Sequence, residues 1–167
     1  MGPVAQIIQA AIDAGIAWAA YKDTCHFVRN FTRPWIDTTP QFEKGYEDTF
    51  IIAAIGDMVI KLHAMDALLR HAGGVLDKCQ ADMTANSVAE ASIAVGEAKV
   101  MATVNAVEFG SKLFELAGTR STLEEYNLNR HWRNDRTHTL HDPVRWKYFS
   151  IGNYYLNGVM PPRNPWV

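Results

Sequence analysis

Apolar and polar residues alternate along this chain with the period of the α-helix. Over residues 4 to 31, Ile8, Ile12, Gly15, Trp18, Ala19 and Cys25 recur at helical intervals, with Asp13, Lys22, Asp23 and Arg29 between them. That spacing predicts an amphipathic helix. Pro34 disfavours helical geometry in the residue before it, so the helix stops near Thr32. The connector TRPWIDTTPQFEKG carries two prolines and a glycine, but it is too aromatic for a solvated linker and is expected to pack against the rest. A second helix is predicted from about residue 47 to 80, where Ile51, Ile55, Met58, Leu62, Met65 and Leu69 form a continuous seam. After a break at Asp82, a third runs from about 87 to 116 with an inner face of Ala91, Ala94, Ala98, Ala102 and Ala106. Such a helix is roughly 45 Å long at 1.5 Å per residue. Small side chains over that length let helices approach closely, which places it centrally in a bundle or at a subunit contact.

Gly118 terminates the third helix as a C′ residue. Ser121 or Thr122 then reads as an N-cap, with Glu124 or Glu125 closing a capping box. The last helix is predicted to start after Asp142-Pro143, a cap followed by proline at the first helical position. It carries Val144, Trp146 to Phe149, Ile151, Tyr154 and Tyr155 and ends at Asn157-Gly158, before a proline-rich tail, VMPPRNPWV. No β pattern of useful length appears. The fold class is all-α: an up-and-down bundle of three long and two shorter helices, forming one domain over residues 1 to 167.

Composition narrows the function. A hydrophobic fraction of 48% with 20% charged residues is that of a folded chain of one ordinary domain. A net charge of −2 exerts no global pull on nucleic acid or anionic lipid. The start has no basic n-region, and no uncharged apolar run long enough for a membrane span follows. Two cysteines, Cys25 and Cys79, without metal-type spacing fit a reducing cytoplasm better than a disulfide framework.

The candidate chemistry gathers late in the chain. From Arg130 to Lys147 there are five basic and two acidic residues, three histidines and two tryptophans. His138 and His141 are three apart and could share a helical face, but a metal needs three or four ligands and no further partner is evident. Local capping, an internal ion-pair network and an anion site all remain open on spacing alone. Nucleic-acid binding is disfavoured, because no other basic surface supports it. LAGTRST, Leu116 to Thr122, sets backbone amides and Arg120 at a junction between helices, and FTRPW, Phe31 to Trp35, sets Arg33 among aromatics after a helix end. Each could bind an anion, and each could be simple turn chemistry.

FTRPWID, ELAGTRST and above all WRNDRTHTLHDPV, Trp132 to Val144, together resemble the C-terminal region of the acyl-CoA dehydrogenase-like flavin monooxygenases, the group typified by dibenzothiophene monooxygenase and the SfnB-type proteins. The resemblance covers nearly the whole chain. It implies a helical-bundle C-terminal domain and a chain that is a fragment, lacking an N-terminal helical and a middle β-domain. It also implies oxygenation of a small organosulfur or related substrate through a flavin C4a-hydroperoxide, with reduced FMN supplied by a separate flavin reductase. By the same resemblance, His141 with His138 as neighbour lies at the reactive side of the flavin, where a pKa near working pH suits holding or returning a proton. Arg33 matches an arginine that contacts flavin, and Gly118, Thr119, Arg120 and Ser121 match a turn reaching the flavin of a neighbouring subunit, so self-association to a dimer or tetramer is implied.

Two other readings stand beside this one. An FAD-dependent acyl-CoA dehydrogenase would need a carboxylate base, for which the junction of the last two helices offers only Asp135 or Asp142. A non-catalytic helical module for oligomerisation would need no site at all.

Overall fold

The computed structural model describes residues 2–37 and 41–166, so Pro40 of the connector lies outside the described residues. Five α-helices are seen: α1 (Gly2–Asn30), α2 (Thr49–Ala81), α3 (Ala85–Ala117), α4 (Asn129–His138) and α5 (Arg145–Asn157). Short 3₁₀ turns at Gly45–Glu47, Thr119–Thr122 and Glu124–Tyr126 join them, and no strand occurs among the described residues. The expected all-α bundle of three long and two shorter helices is therefore what forms.

Contacts between helices define the up-and-down order. Trp18 of α1 donates to Asp66 of α2, and Lys61 of α2 pairs with Glu108 of α3, so α2 runs against both. Gln6 meets Lys99, Asp13 meets Thr103 and Thr32 meets Ala117, so α1 and α3 run parallel and in register. Trp132 of α4 lies on Gly110 and Ile151 of α5 on Gly96, so α4 and α5 descend α3 together as one broken fourth arm.

The parallel α1–α3 contact explains a departure from expectation. Hydrophobic size predicts that Ile8 and Ile12 face inward, yet they are exposed, and the buried face of α1 is Ala10, Ala14, Ala17 and Ala20 with Phe27 and Val28. Alanines on α1 meet Ala102 and Ala106 of α3, so the backbones approach closely enough to bury the helix pair without large side chains. α3 is accordingly central, covered by α1, α2, α4 and α5. Length and composition alone would let α1 cross a membrane, but its alanine face is covered here and carries Asp13 in the core.

Local chemistry explains the ends. Asp48 caps α2 by accepting from Phe50 and Ile51 amides, and Thr84 with Ser87 makes a capping box at α3. Gly118 closes α3 at φ +81°, a left-handed value that disfavours any side chain. The other two predicted caps are corrected. Ser121 and Thr122 turn their hydroxyls back onto the carbonyls of Gly118 and Thr119, and the next α-helix waits until Asn129. Asp142 caps nothing, because α5 starts at Arg145 without a side-chain cap and the Asp142 carboxylate is drawn into the core by lysines. The connector also differs from expectation: Trp35 and Ile36 are exposed, while Gly45 at its far end is buried against Thr32.

Candidate active site

Two regions of the bundle hold the candidate residues. At the end where α1 and α3 finish, Thr32 donates to the Ala117 carbonyl at 3.0 Å. A Cβ on Gly45 would lie 2.8 Å from the Thr32 carbonyl oxygen, so only glycine lets the chain return this close. Thr32 is thus clamped between Gly45 and Ala117, and the Arg33 connector is tied to the Gly118–Ser121 turn.

Arg120 of that turn lies over the Phe31 ring at 5.1 Å and the Tyr126 ring at 5.7 Å, and its Nε donates to the Tyr126 hydroxyl at 2.9 Å. Contact with two rings and the hydrogen bond at Nε hold the guanidinium in place. Neither Nη has a protein partner among the described residues, which leaves the fork open for a bidentate anion such as a phosphate. Arg33, next to the clamped Thr32, is exposed and has no ion pair among the described residues, and Thr119 is exposed. Ser121 is different. It is buried, its hydroxyl donates to the Gly118 carbonyl at 2.6 Å, and its amide donates to the same oxygen at 3.0 Å. Both donors hold the turn, so Ser121 shapes the loop and offers neither group outward.

Farther down the bundle lie the two histidines, which the structure sends to different surroundings. His138, the last residue of α4, turns inward: its Nδ1 is 2.5 Å from Oδ1 of Asp13 on α1, whose Oδ2 accepts from the Thr103 hydroxyl of α3 at 2.8 Å. Asp135, one turn earlier on α4, is fully buried with no hydrogen-bond partner for either oxygen. Burial, and then repulsion from Asp13 outweighing the help of Arg136, push its carboxyl up to about 7.

His141 stays at the surface, its side chain 47% exposed, with its ring 5.7 Å from that of Trp166 in the C-terminal tail. Its Nδ1 is 3.5 Å from Oδ1 of Asp142, which is buried between two lysines. Lys99 of α3 hydrogen-bonds Oδ1, and Lys147 of α5 approaches Oδ2 at 3.1 Å as an ion pair without hydrogen-bond geometry. Lys99 also donates to Gln6 Oε1 at 2.9 Å, Gln6 donates to the Pro165 carbonyl at 3.1 Å, and Lys147 donates to the Trp166 carbonyl. Burial alone would raise the Asp142 carboxyl, but hydrogen bonding and charge from Lys99 and Lys147 together hold it below the usual range. Burial, aided by Lys99, lowers the Lys147 ammonium against the pull of Asp142. Asp142 is thus engaged by lysines and Asp135 sealed in the core, so neither presents a carboxylate to a substrate as a dehydrogenase base would.

Asp13, Thr103, Lys99 and Gln6 are outside the residues predicted for a site, and Lys147 enters there only as the end of the charged run from Arg130. Asp13 read as part of a polar face, although it interrupts the alanine stripe that forms the core. Lys99 carried a usable signal: a lysine directly after Ala98 inside a run of small inward residues must bring a counter-ion with it.

The chain belongs to the acyl-CoA dehydrogenase family: the family's "Acyl-CoA dehydrogenase, C-terminal domain" matches residues 7–146. It is 37% identical over 164 residues to the dibenzothiophene monooxygenase of Mycolicibacterium goodii, covering 96% of this chain and 39% of that protein. It is 31% identical over 161 residues to the probable FMNH2-dependent monooxygenase SfnC of Pseudomonas putida, covering 95% of this chain and 40% of that protein. The crystal structure of FMN-bound TdsC from Paenibacillus sp. A11-2 superposes with a TM-score of 0.93 at 30% identity, covering 99% of this chain and 42% of that one. The chain therefore spans about two fifths of the length of the relatives it matches.

Proposed function

We propose that this chain is the C-terminal helical domain of an FMNH2-dependent monooxygenase acting on a small organosulfur or related compound. The observation that carries the reading is the Arg120 guanidinium, held against Phe31 and Tyr126 with both terminal nitrogens free of protein partners among the described residues. A fixed, open fork suits the phosphate of a mononucleotide, and Arg33 adds a second positive charge at the same end. Reduced FMN, when bound, supplies the electrons that activate oxygen. This chain's part is to hold the phosphate with Arg120 and Arg33, and to place His141, with His138 behind it, where a proton is held or returned.

From Lys99, which pairs with the neighbour of His141, α3 rises about 27 Å to Ala117 at 1.5 Å per residue. One mononucleotide does not bridge that distance, so the arginines and the histidines of a single chain serve different flavins. We therefore infer an assembly, a dimer or tetramer, in which the Arg120 turn meets the flavin lodged beside a neighbour's histidines. The exposed Trp146, Phe149, Tyr155 and Leu156 of α5 supply apolar surface for such contacts. A separate flavin reductase delivers FMNH2, and free Cys25 and Cys79 fit the cytoplasm.

In the complete oxygenase, His141→Ala should sharply lower substrate oxygenation while leaving the fold intact, judged by circular dichroism. A variant with full activity would remove His141 from the chemistry. The chain alone should bind FMN weakly, and a stoichiometrically flavin-loaded preparation of the 167 residues would show that the site is contained within it.

A further inference from the structure

We propose that Asp13 is a positioning residue for His138: with Thr103 behind it, the carboxylate holds His138 Nδ1–H inward and aims the Nε2 lone pair out of the bundle as a second proton acceptor of the site. The inference rests on the monooxygenase reading for what the proton is used for, but the geometry and its test do not.

Three elements converge on the imidazole. Asp13 comes from α1, fully buried, with Oδ1 at 2.5 Å from His138 Nδ1. Thr103 comes from α3 and donates to the other oxygen at 2.8 Å, so the carboxylate cannot rotate away. His138 itself ends α4, its side chain only 22% exposed, and its Nε2 has no hydrogen-bond partner among the described residues. The inner nitrogen is thus fully engaged, and the outer one is available to a ligand.

A purely structural histidine does not need this arrangement. A backbone carbonyl would satisfy Nδ1–H without placing a carboxylate in the core, where desolvation costs several kcal/mol. Here a second acid is buried within one turn of the same histidine: Asp135, unpartnered, its carboxyl pushed up to about 7 by burial and by Asp13. Two buried carboxyls that repel each other beside one imidazole are unfavourable for folding, and such clusters concentrate where proton chemistry is done. The other charged groups nearby are Arg136 on α4, whose charge favours ionised Asp135, and Lys99, one turn before Thr103 on α3 and already paired with Asp142. Neither has a hydrogen bond to His138. A carboxylate accepting from Nδ1–H reverses the ordinary preference of neutral imidazole for Nε2–H and raises the basicity of Nε2.

The test uses the 167-residue chain without flavin. Long-range ¹H–¹⁵N spectra of ¹⁵N-histidine-labelled protein should show His138, in its neutral form, protonated at Nδ1 and bare at Nε2. A neutral His138 protonated at Nε2, or averaged between the two forms, overturns the proposal. Diethyl pyrocarbonate, which acylates unprotonated imidazole nitrogen, gives the second readout by mass spectrometry, with exposed His141 as the internal standard. Asp13→Asn should slow acylation of His138 several-fold relative to His141, and Asp13→Glu should restore part of it. Faster acylation of His138 in Asp13→Asn would mean that Asp13 only packs the helix ends, and would also overturn the proposal. Failure of the flavin reading would appear instead in the oxygenation assay, with the tautomer unchanged.

Discussion

The Lys99–Asp142–Lys147 cluster makes an unusual demand on the core, and a pair of substitutions tests it. Two lysines and one aspartate are all buried, with side chains 4%, 4% and 8% exposed, so among the described residues the cluster carries one surplus positive charge. Carbonyl oxygens of Gln6 and Trp166 share the remaining donors but bring no charge. Asp142→Asn keeps the shape and removes the counter-charge that the described residues supply, leaving two buried ammonium groups facing each other. Breaking a buried pair in this way costs about 3–5 kcal/mol. At roughly 2–4 °C per kcal/mol for a chain of this size, Tm should fall by about 6–20 °C. Lys99→Met removes the surplus instead and leaves a neutral Asp142–Lys147 pair, with apolar volume in place of the ammonium. Its cost should stay below about 2 kcal/mol, since apolar replacement of buried charge is often near neutral. Urea denaturation at pH 7 compares the two directly through their midpoints, provided the slopes agree. If Lys99→Met destabilises as much as Asp142→Asn, the surplus-charge argument is wrong and the lysine's contacts with Gln6 outweigh its electrostatics.

Other consequences follow from single features. Because the Asp135 carboxyl is raised from 3.8 to about 7, its contribution to stability is fully present below pH 3.8 and is lost as pH rises toward 7. Urea midpoints across that window should show Asp135→Asn gaining on the parent by up to about 1.4 kcal/mol per pH unit, and parallel curves would mean that Asp135 ionises normally. A Cβ on Gly110 would lie 3.1 Å from the Trp132 Cα, so Gly110→Ala should push α4 slightly away from α3 and cost about 1–3 kcal/mol in thermal unfolding. Arg120→Lys loses both the ring stacking and the planar fork. It should weaken FMN binding by the complete oxygenase about tenfold or more, measured by flavin titration, since charge-assisted hydrogen bonds contribute about 1.5–3 kcal/mol.

Helical periodicity alone determined much of this protein. α2 and α3 begin and end within about two residues of the positions that apolar spacing, Asp82 and Gly118 predict, and no competing pattern disturbs the all-α assignment. Motif resemblance likewise pointed to the family through a short run of residues, Trp132 to Val144, because that run is dense in uncommon residue types. What periodicity could not decide was which face of α1 is inside. Size argues for the isoleucines, but the choice depends on what α3 presents, and an alanine stripe accepts another alanine stripe more closely than it accepts isoleucine. The site followed the same logic. Asp142-Pro143 has the local form of a helix cap, yet Asp142 is drawn inward by Lys99, 43 residues away. His138 and His141, three residues apart, part company because Asp13, 125 residues before His138, pulls one ring into the bundle while Trp166 meets the other at the surface. Caps and helices depend on neighbours along the chain and can be read from it. Ion pairs and tautomers depend on which helices pack together, and only the tertiary structure brings Asp13, Thr103 and His138 to one point.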